Sequence, residues 1–432
     1  MKIKFIDWYS SFVVFVGGCS LLLLWSFCSV GLGVTLDFGY CSMLFNSYFI
    51  FDLISFYLSL LSVLLLFLLN FFYNVINLRS RVYVIVSIFS SILCYCSNHV
   101  FFFWWFYEVS ILVLLFLLVV DSPYSERYLA GWYLAGYVVL TSLPMLLCLI
   151  YFSCVSGSLF MSDWLFLDLW NNGVSLILFV VLGVLFVTKI PVPPFHVWLP
   201  LVHAEATSIV SVCLSGYIMK LGLLGVCRFC WWVLPDYLFG NFYSAVSFFL
   251  AIIFFLMATW ELDGKRWLAF LSLSHIIICV VCLNCSFYEG SGLLYLYSLG
   301  HGLSAALVFV FLWWGYNISG SRNWIILKSV LGGSLFFRIL LCFSLCITAS
   351  LPPVIQFFVE VYMLFNVGSS SWILFFIFCF YLFFSSLVPL FFLGTLLSRH
   401  FCISYFSFSG ISAFSSCIVY LSMWSFIVFL FI

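Results

Sequence analysis

The chain has 432 residues, of which 66% are hydrophobic and only 6% are charged. A soluble domain carries about 25% charged residues, so this composition excludes a sizeable soluble domain and indicates a polytopic membrane protein. The 14 basic and 14 acidic side chains give a net charge of zero, which argues against a nucleic-acid partner. No cleaved signal or arginine-rich transit peptide is expected, because the first seven residues lead directly into an apolar segment.

Thirteen apolar segments are long enough to cross the hydrocarbon core, which takes about 20 helical residues. The sequence therefore predicts an all-α membrane protein. The predicted spans are residues 10–34, 49–73, 81–98, 100–120, 129–153, 173–200, 207–233, 241–260, 267–285, 292–316, 332–367, 372–397 and 411–432.

Positive charge alternates along the loops between these spans. Lysine and arginine precede the first span and follow even-numbered spans, whereas the loops after odd-numbered spans hold acidic residues and essentially no basic ones. This pattern follows the positive-inside rule and predicts that the two termini lie on opposite sides of the membrane. The basic residues are Lys2, Lys4, Arg79, Arg81, Arg127, Lys265, Arg266, Arg322, Lys328 and Arg399, and the acidic ones are Asp37, Asp163, Asp168, Asp236 and Glu289.

Prolines interrupt two of the predicted spans, at Pro191–Pro194 in span 6 and at Pro352–Pro353 in span 11. Proline removes a backbone donor and clashes with the preceding turn, and broken helices at matching places in two halves are typical of inverted-repeat transporters. We therefore expect two inverted five-helix repeats, residues 81–233 and 241–397. N-terminal helices in 1–80 and a C-terminal helix in 398–432 would flank them. The alternative is that these prolines only kink their helices.

Six ionisable side chains in the predicted spans indicate a proton or ion path. A charge at a span centre costs about 2.5–3.5 kcal/mol on insertion scales, so such residues normally face a protein interior or a water-filled route. Histidine also titrates near neutral pH, which suits a relay. For any one member, the alternative is a polar residue satisfied by packing. The six are Glu108, Lys189, Lys220, His275, His301 and Glu360.

Cys279, Cys282 and Cys285 have the spacing of an iron–sulfur ligand run. The run lies in a predicted span and lacks the cysteine–proline completion of that motif. Eighteen cysteines in the chain make such spacings common by chance. We therefore expect no iron–sulfur cluster here.

Several motifs between about Phe49 and Ser398 together resemble the subunit-4 type of antiporter-like subunit in mitochondrial respiratory complex I, the proton-translocating NADH:ubiquinone oxidoreductase. Glutamate at position 360 matches this type, where two sister types carry lysine. The family usually has fourteen spans, so its first helix is expected to be missing here, and Thr207 stands where proline is usual. The motifs are Phe106–Ile111, Lys189–Gly225 with His203-Ala-Glu205, Asp263-Gly-Lys265, Ala269–His275, Gly300–Ser304 and Leu351–Pro353.

The resemblance implies a role for each ionisable residue. Glu108 and Lys189 would form a pair whose separation tunes the lysine, and Lys220 would pass the proton centrally. His275 and His301 would relay it, and Glu360 would deliver it toward the exit or the neighbouring subunit.

The resemblance also implies the chain's surroundings. It would lie in the mitochondrial inner membrane with its N-terminus on the matrix side and Ile432 on the intermembrane-space side. Its partners would be other membrane-arm subunits, including antiporter-like subunits 2 and 5, accessory subunits, and lipids such as cardiolipin. No cofactor is expected in this chain, because flavin, iron–sulfur clusters, NADH and ubiquinone would bind other subunits. The alternatives are a freestanding cation/proton antiporter and a non-pumping structural subunit.

Overall fold

The computed structural model describes residues 17, 43–73, 75–166, 176–230, 239–285, 290–331, 335–398 and 411–427. In this part of the chain the structure is helical apart from one short β-hairpin. Nine of its helices are long and apolar enough to cross a membrane, and three apolar helices are shorter. The predicted all-α, multi-pass architecture is confirmed, while the count of thirteen spans stays a prediction.

Most of the helices overlap predicted spans 2–13, which stay a prediction in number. The hairpin is β1 Met43–Asn46 and β2 Phe49–Phe51, and the helices are α1 Leu53–Phe71, α2 Leu78–Cys96, α3 Val100–Asp121, α4 Arg127–Ser156, α5 Met161–Phe166, α6 Leu176–Val187, α7 Trp198–Glu205, α8 Ser208–Cys230, α9 Asn241–Trp260, α10 Gly264–Ile276, α11 Ile278–Cys285, α12 Gly290–Ser319, α13 Trp324–Leu331, α14 Leu335–Thr348, α15 Ile355–Ser370, α16 Trp372–Leu397 and α17 Ile411–Ile427.

The second predicted span begins four residues later than expected. Residues Phe49–Phe51 pair with β1, and α1 begins at Leu53 after the N-cap Asp52. Asp52 accepts a hydrogen bond from the Ser55 backbone at 2.8 Å, while the Ser55 hydroxyl accepts from the Asp52 backbone at 2.8 Å. This reciprocal capping box satisfies two exposed donors and fixes the helix start. Predicted span 1 lies outside the described residues.

The loops fall into two groups, each with contacts among its own members. After α2, the Asn98 side-chain oxygen accepts from the Ser162 backbone, which lies after α4, at 3.0 Å. After α9, the Gly264 backbone donates to the Arg322 carbonyl, which lies after α12, at 3.0 Å. These contacts match the predicted alternation, because the first pair joins loops expected to lack basic residues and the second joins loops expected to carry them. Which group faces which compartment stays a prediction.

Both predicted helix breaks are present. Helix α6 ends at Val187 and α7 begins at Trp198, and α14 ends at Thr348 and α15 begins at Ile355. The Pro193–Pro194 and Pro352–Pro353 peptide bonds in these intervals are cis. A proline cannot donate to the preceding turn, so the chain leaves the helix at each break. The interior is formed chiefly by α8, α10, α11 and α12, which bury most of their residues.

Candidate functional site

All six ionisable residues predicted from the sequence are buried, with at most 7% of any one exposed. Each lies on a different element. Glu108 is in α3, Lys189 in the break between α6 and α7, Lys220 in α8, His275 in α10, His301 in α12 and Glu360 in α15.

Lys220 and His301 are in direct contact. The Lys220 ammonium donates to the Ser215 carbonyl, and its Nζ lies 3.1 Å from Nδ1 of His301. A lysine ammonium can only donate, so the imidazole nitrogen accepts. Lys220 follows a π-helical stretch, Leu214–Ile218, and such bulges occur often at functional sites. The pair can pass a proton between the two nitrogens.

Glycines on both sides of His301 explain how this pair comes together. A Cβ at Gly302 would lie 3.2 Å from the Gly216 carbonyl oxygen in α8, and a Cβ at Gly300 would lie 2.9 Å from Cγ of Gln356 in α15. Both separations are too short to be ordinary contacts. The absence of side chains therefore lets α12 approach α8 on one side and α15 on the other, with His301 between them.

A second contact extends the series beyond His301. The ring centroids of His301 and His275 lie 6.2 Å apart. Nδ1 of His275 lies 3.3 Å from the Tyr381 hydroxyl, which comes from α16, and His275 Nε2 has no hydrogen-bond partner. Lys220, His301, His275 and Tyr381 therefore form a series of neighbouring proton-carrying groups across four helices.

Glu360 is anchored by the break before its own helix. The Ser350 hydroxyl donates to Glu360 Oε2 at 2.8 Å, whereas Glu360 Oε1 has no hydrogen-bond partner. Ser350 has a φ of 49°, in the left-handed region that side chains rarely adopt. The break thus aims a hydroxyl at one carboxyl oxygen and leaves the other available to a proton.

Glu108 and Lys189 are neighbours without a direct ion pair. Lys189 Nζ lies 4.1 Å from the Tyr107 ring centroid and 3.9 Å from Met145 Sδ. Glu108 is near enough to act electrostatically on Lys189, but its Oε1 has no hydrogen-bond partner. Among the described residues, the ion pairs within 4.0 Å lie elsewhere. Glu108 and Lys189 are therefore neighbours that do not form an ion pair, and the Lys189 ammonium lies against the face of the Tyr107 ring.

Lys189 and Lys220 belong to segments that pack closely together. A Cβ at Gly222, two residues after Lys220, would lie 3.0 Å from the Phe186 carbonyl oxygen and 3.1 Å from the Ile190 backbone nitrogen. The backbone of α8 thus packs against the break that carries Lys189. No hydrogen bond in the described part of the chain links the two lysines.

Lys265 does not lie in the charged loop that the sequence predicts. It is the second residue of α10 and only 4% exposed. Its Nζ donates to the Ala206 carbonyl at 2.6 Å. His203, three residues before Ala206, is fully buried, and neither of its ring nitrogens has a hydrogen-bond partner among the described residues. Lys265 and His203, which the sequence marks only as members of family motifs, are therefore further buried polar residues outside the predicted six.

Other residues were missed. Arg228 and Arg338 fall inside predicted spans 7 and 11, and counting every charge in the spans would have found them. Arg228 pairs with Asp52 at 3.3 Å, near the loops expected to lack basic residues. Tyr381 and Tyr297 carried no such signal, because buried tyrosines are common in a chain with 24 of them.

One protein family matches most of the chain. Residues 97–386 match the family described as NADH:quinone oxidoreductase/Mrp antiporter, TM. Among curated proteins, the chain is 28% identical over 286 residues to the NADH-ubiquinone oxidoreductase chain 4 of Aedes aegypti, covering 65% of this chain and 63% of that protein. It is 29% identical over 332 residues to the chain 4 of Ceratitis capitata, covering 75% and 71%. The match thus spans slightly less than two thirds of the mosquito protein.

Solved structures share the fold. A chain of respiratory complex I from Thermus thermophilus with bound NADH aligns with a TM-score of 0.75 and 19% identity, covering 98% of this chain and 95% of that one. A chain of the Mrp complex from Dietzia sp. aligns with a TM-score of 0.73 and 16% identity, covering 92% and 76%. At these identities the likeness establishes the architecture.

Proposed function

Because the chain belongs to the NADH:quinone oxidoreductase/Mrp antiporter transmembrane family, we propose that it translocates protons as a subunit of respiratory complex I. The observation that carries this proposal is the series of neighbouring groups from Lys220 through His301 and His275 to Tyr381. A buried series of titratable groups on separate helices is costly to maintain in an apolar interior and is typical of proton relays.

In this proposal each predicted residue has a task set by its surroundings. Lys189 holds its proton less tightly when Glu108 is distant, because the apolar interior disfavours an unpaired ammonium. Lys220 passes its proton to His301 along their 3.1 Å contact. His301 and His275 carry it onward to Glu360, whose unpartnered Oε1 can accept it.

The family and the curated relatives also support the setting of the chain. We propose that it lies in the mitochondrial inner membrane beside antiporter-like subunits 2 and 5, accessory subunits and lipids such as cardiolipin. NADH oxidation and ubiquinone reduction would occur in other subunits. Each proton moved against the membrane potential takes about 2.3 kcal/mol per 100 mV, so a dry, gated path is needed to prevent leakage.

Two inverted repeats are proposed from a matching pair of loop contacts. His99 forms an isolated β-bridge with Phe160, and Asp263 forms one with Asn323. In each predicted half, one residue of the bridge (His99 or Asp263) lies between the first and second spans. Its partner (Phe160 or Asn323) lies between the third and fourth spans. The two bridges belong to the two different loop groups, as an inversion of one half relative to the other requires.

The competing functions make different demands on the same residues. A freestanding cation/proton antiporter would transport without NADH, and a structural subunit would tolerate loss of the ionisable groups. All six predicted residues are present and buried, which favours a working path over a structural role. Transport that depends on a cation gradient in the isolated protein would favour the antiporter.

The proposed function is tested at Lys220 in the purified complex, reconstituted into sealed vesicles. Lys220→Ala removes the titrating group, whereas Lys220→Arg keeps the charge but holds its proton too tightly to release it. Both variants are expected to slow proton transfer through this chain by about a hundredfold or more, the lower range for a lost acid–base group, and so to lower the protons moved per NADH. The control is Lys328→Ala, since Lys328 donates to the exposed Ser398 hydroxyl, away from the buried residues of the proposed path. Normal translocation by an assembled Lys220→Arg complex would overturn the proposal.

A further inference from the structure

The predicted relay has a gap between His275 and Glu360. Among the described residues no hydrogen bond joins these two side chains. His275 Nδ1 faces the Tyr381 hydroxyl, and Glu360 Oε2 accepts from Ser350. A proton leaving the histidine therefore needs another group, or a water molecule, to reach the carboxylate.

Tyr381 lies at the histidine end of this gap in a dry environment. Its side chain is fully buried, and its hydroxyl is 3.3 Å from His275 Nδ1. Its ring packs against three phenylalanine rings with centroid separations of 5.2, 5.5 and 5.8 Å. These rings, of Phe248, Phe255 and Phe378, offer no polar partner, so the hydroxyl is the polar group that the aromatic cage presents to the histidine.

Tyr297 lies at the carboxylate end of the gap. It is fully buried, and its ring stacks on His301 with a centroid separation of 6.5 Å. Its hydroxyl is near enough to the Tyr381 hydroxyl and to the Glu360 carboxyl to interact with both. A buried hydroxyl needs hydrogen-bond partners, and these two groups can supply them.

We propose that the hydroxyls of Tyr381 and Tyr297 carry the proton from His275 to Glu360, an inference that rests on the proposed translocation function. A hydroxyl can accept one proton while it donates another. The His275 imidazolium gives its Nδ1 proton to Tyr381, Tyr381 releases its own proton to Tyr297, and Tyr297 releases its own to the Glu360 carboxylate. Three bonds to hydrogen break and three form, both tyrosines end neutral, and no oxidant or reductant is required.

Tyrosine-to-phenylalanine variants test this inference because they remove the hydroxyl and keep the ring packing. The variants are Tyr381→Phe and Tyr297→Phe in the intact complex. The matched control is Tyr420→Phe, since Tyr420 is also a buried tyrosine and donates to the Leu64 carbonyl at 3.3 Å. The measurements are the assembled amount, NADH oxidation and protons moved per NADH in sealed vesicles.

We expect Tyr381→Phe and Tyr297→Phe to slow proton transfer through this chain by about a hundredfold or more, and so to lower protons per NADH, with assembly matching Tyr420→Phe. If the Tyr381 and Tyr297 hydroxyls were merely structural, their variants would change assembly and leave protons per NADH normal in the complex that assembles, and this result would overturn the inference. If Tyr381→Phe does not assemble, Tyr297→Phe alone must show the loss for the inference to stand.

The result at Lys220 separates this inference from the proposed function. Loss of translocation in Lys220→Arg with normal translocation in both tyrosine variants would overturn the hydroxyl relay and leave the function standing. Normal translocation in all of these variants would overturn both. Loss in the tyrosine variants and in Lys220→Arg, with a normal Tyr420→Phe, supports the relay through the two hydroxyls.

Discussion

Replacing Gly302 by alanine tests whether the close approach of α12 to α8 sets the Lys220–His301 contact. The new Cβ would lie 2.7 Å from a methyl carbon of Leu61, which is fully buried, and 3.2 Å from the Gly216 carbonyl oxygen. Restoring an ordinary separation of 3.4 Å from 2.7 Å requires a displacement of about 0.7 Å. If α12 takes up all of it along the line from Lys220 to His301, their 3.1 Å contact lengthens to at most about 3.8 Å, beyond hydrogen-bond range.

The expected result is a loss of proton translocation that exceeds the loss of stability. Overpacking a core typically costs about 1–3 kcal/mol, so part of the complex should still assemble. In that part, proton transfer through this chain should slow by up to about a hundredfold and protons moved per NADH should fall, because Lys220 and His301 no longer lie within hydrogen-bond distance. The measurements are assembled complex per vesicle, NADH oxidation and proton uptake.

Gly315→Ala is a matched control on the same helix. Its Cβ would lie 2.8 Å from a methyl carbon of Leu327, so the overpacking is similar but lies well away from His301. We expect Gly315→Ala to lower assembly without changing protons per NADH, and we expect Leu61→Ala to restore part of the loss in Gly302→Ala by removing the clashing methyl. Equal loss of translocation in the two glycine variants would refute the argument.

Three further predictions follow from single features. Tyr107→Phe should keep proton translocation while Tyr107→Leu lowers it severalfold, because the Lys189 ammonium rests on the ring rather than on the hydroxyl; equal rates would contradict this. Cys282→Ser should leave the iron content and electron transfer of the complex unchanged, as measured by metal analysis and paramagnetic resonance. Cysteines introduced as Glu126→Cys and Ser158→Cys should be labelled from the matrix side and the intermembrane-space side respectively; labelling from one side would overturn the topology.

Much of the fold was predictable because the membrane imposes simple rules on the sequence. A long apolar segment has few alternatives to a helix, and the prolines after Lys189 and Ser350 favour breaks at those two points. The N-terminal end of span 2 was wrong because Phe49–Phe51 is apolar in either structure. A short apolar run does not distinguish a strand from a helix, and only pairing with Met43–Asn46 decides between them.

The sequence predicts a site residue where its side chain is energetically unfavourable in a membrane span, and does not predict one whose side chain is common there. A charged side chain in a membrane span demands an explanation, so Glu108 and Lys220 stand out in the sequence alone. Tyr381 does not, because a buried tyrosine is unremarkable until the fold brings its hydroxyl to His275. Lys265 was misplaced for the converse reason. It lies at a helix start, where a charge is expected, and only tertiary packing against Ala206 buries it.

Lys189 and Lys220 are separated by a gap, and this gap limits how protons can move between them. Lys189 rests on Tyr107 and Met145, with no hydrogen bond to Glu108 or Lys220, whereas Lys220 already contacts His301. A proton crosses such a gap only through an intervening water or a side-chain movement, because transfer needs hydrogen-bond distance. Since α8 packs on the break at Gly222, a shift of the break would move Lys189 relative to Lys220. Such a shift would control whether a proton passes from Lys189 to Lys220.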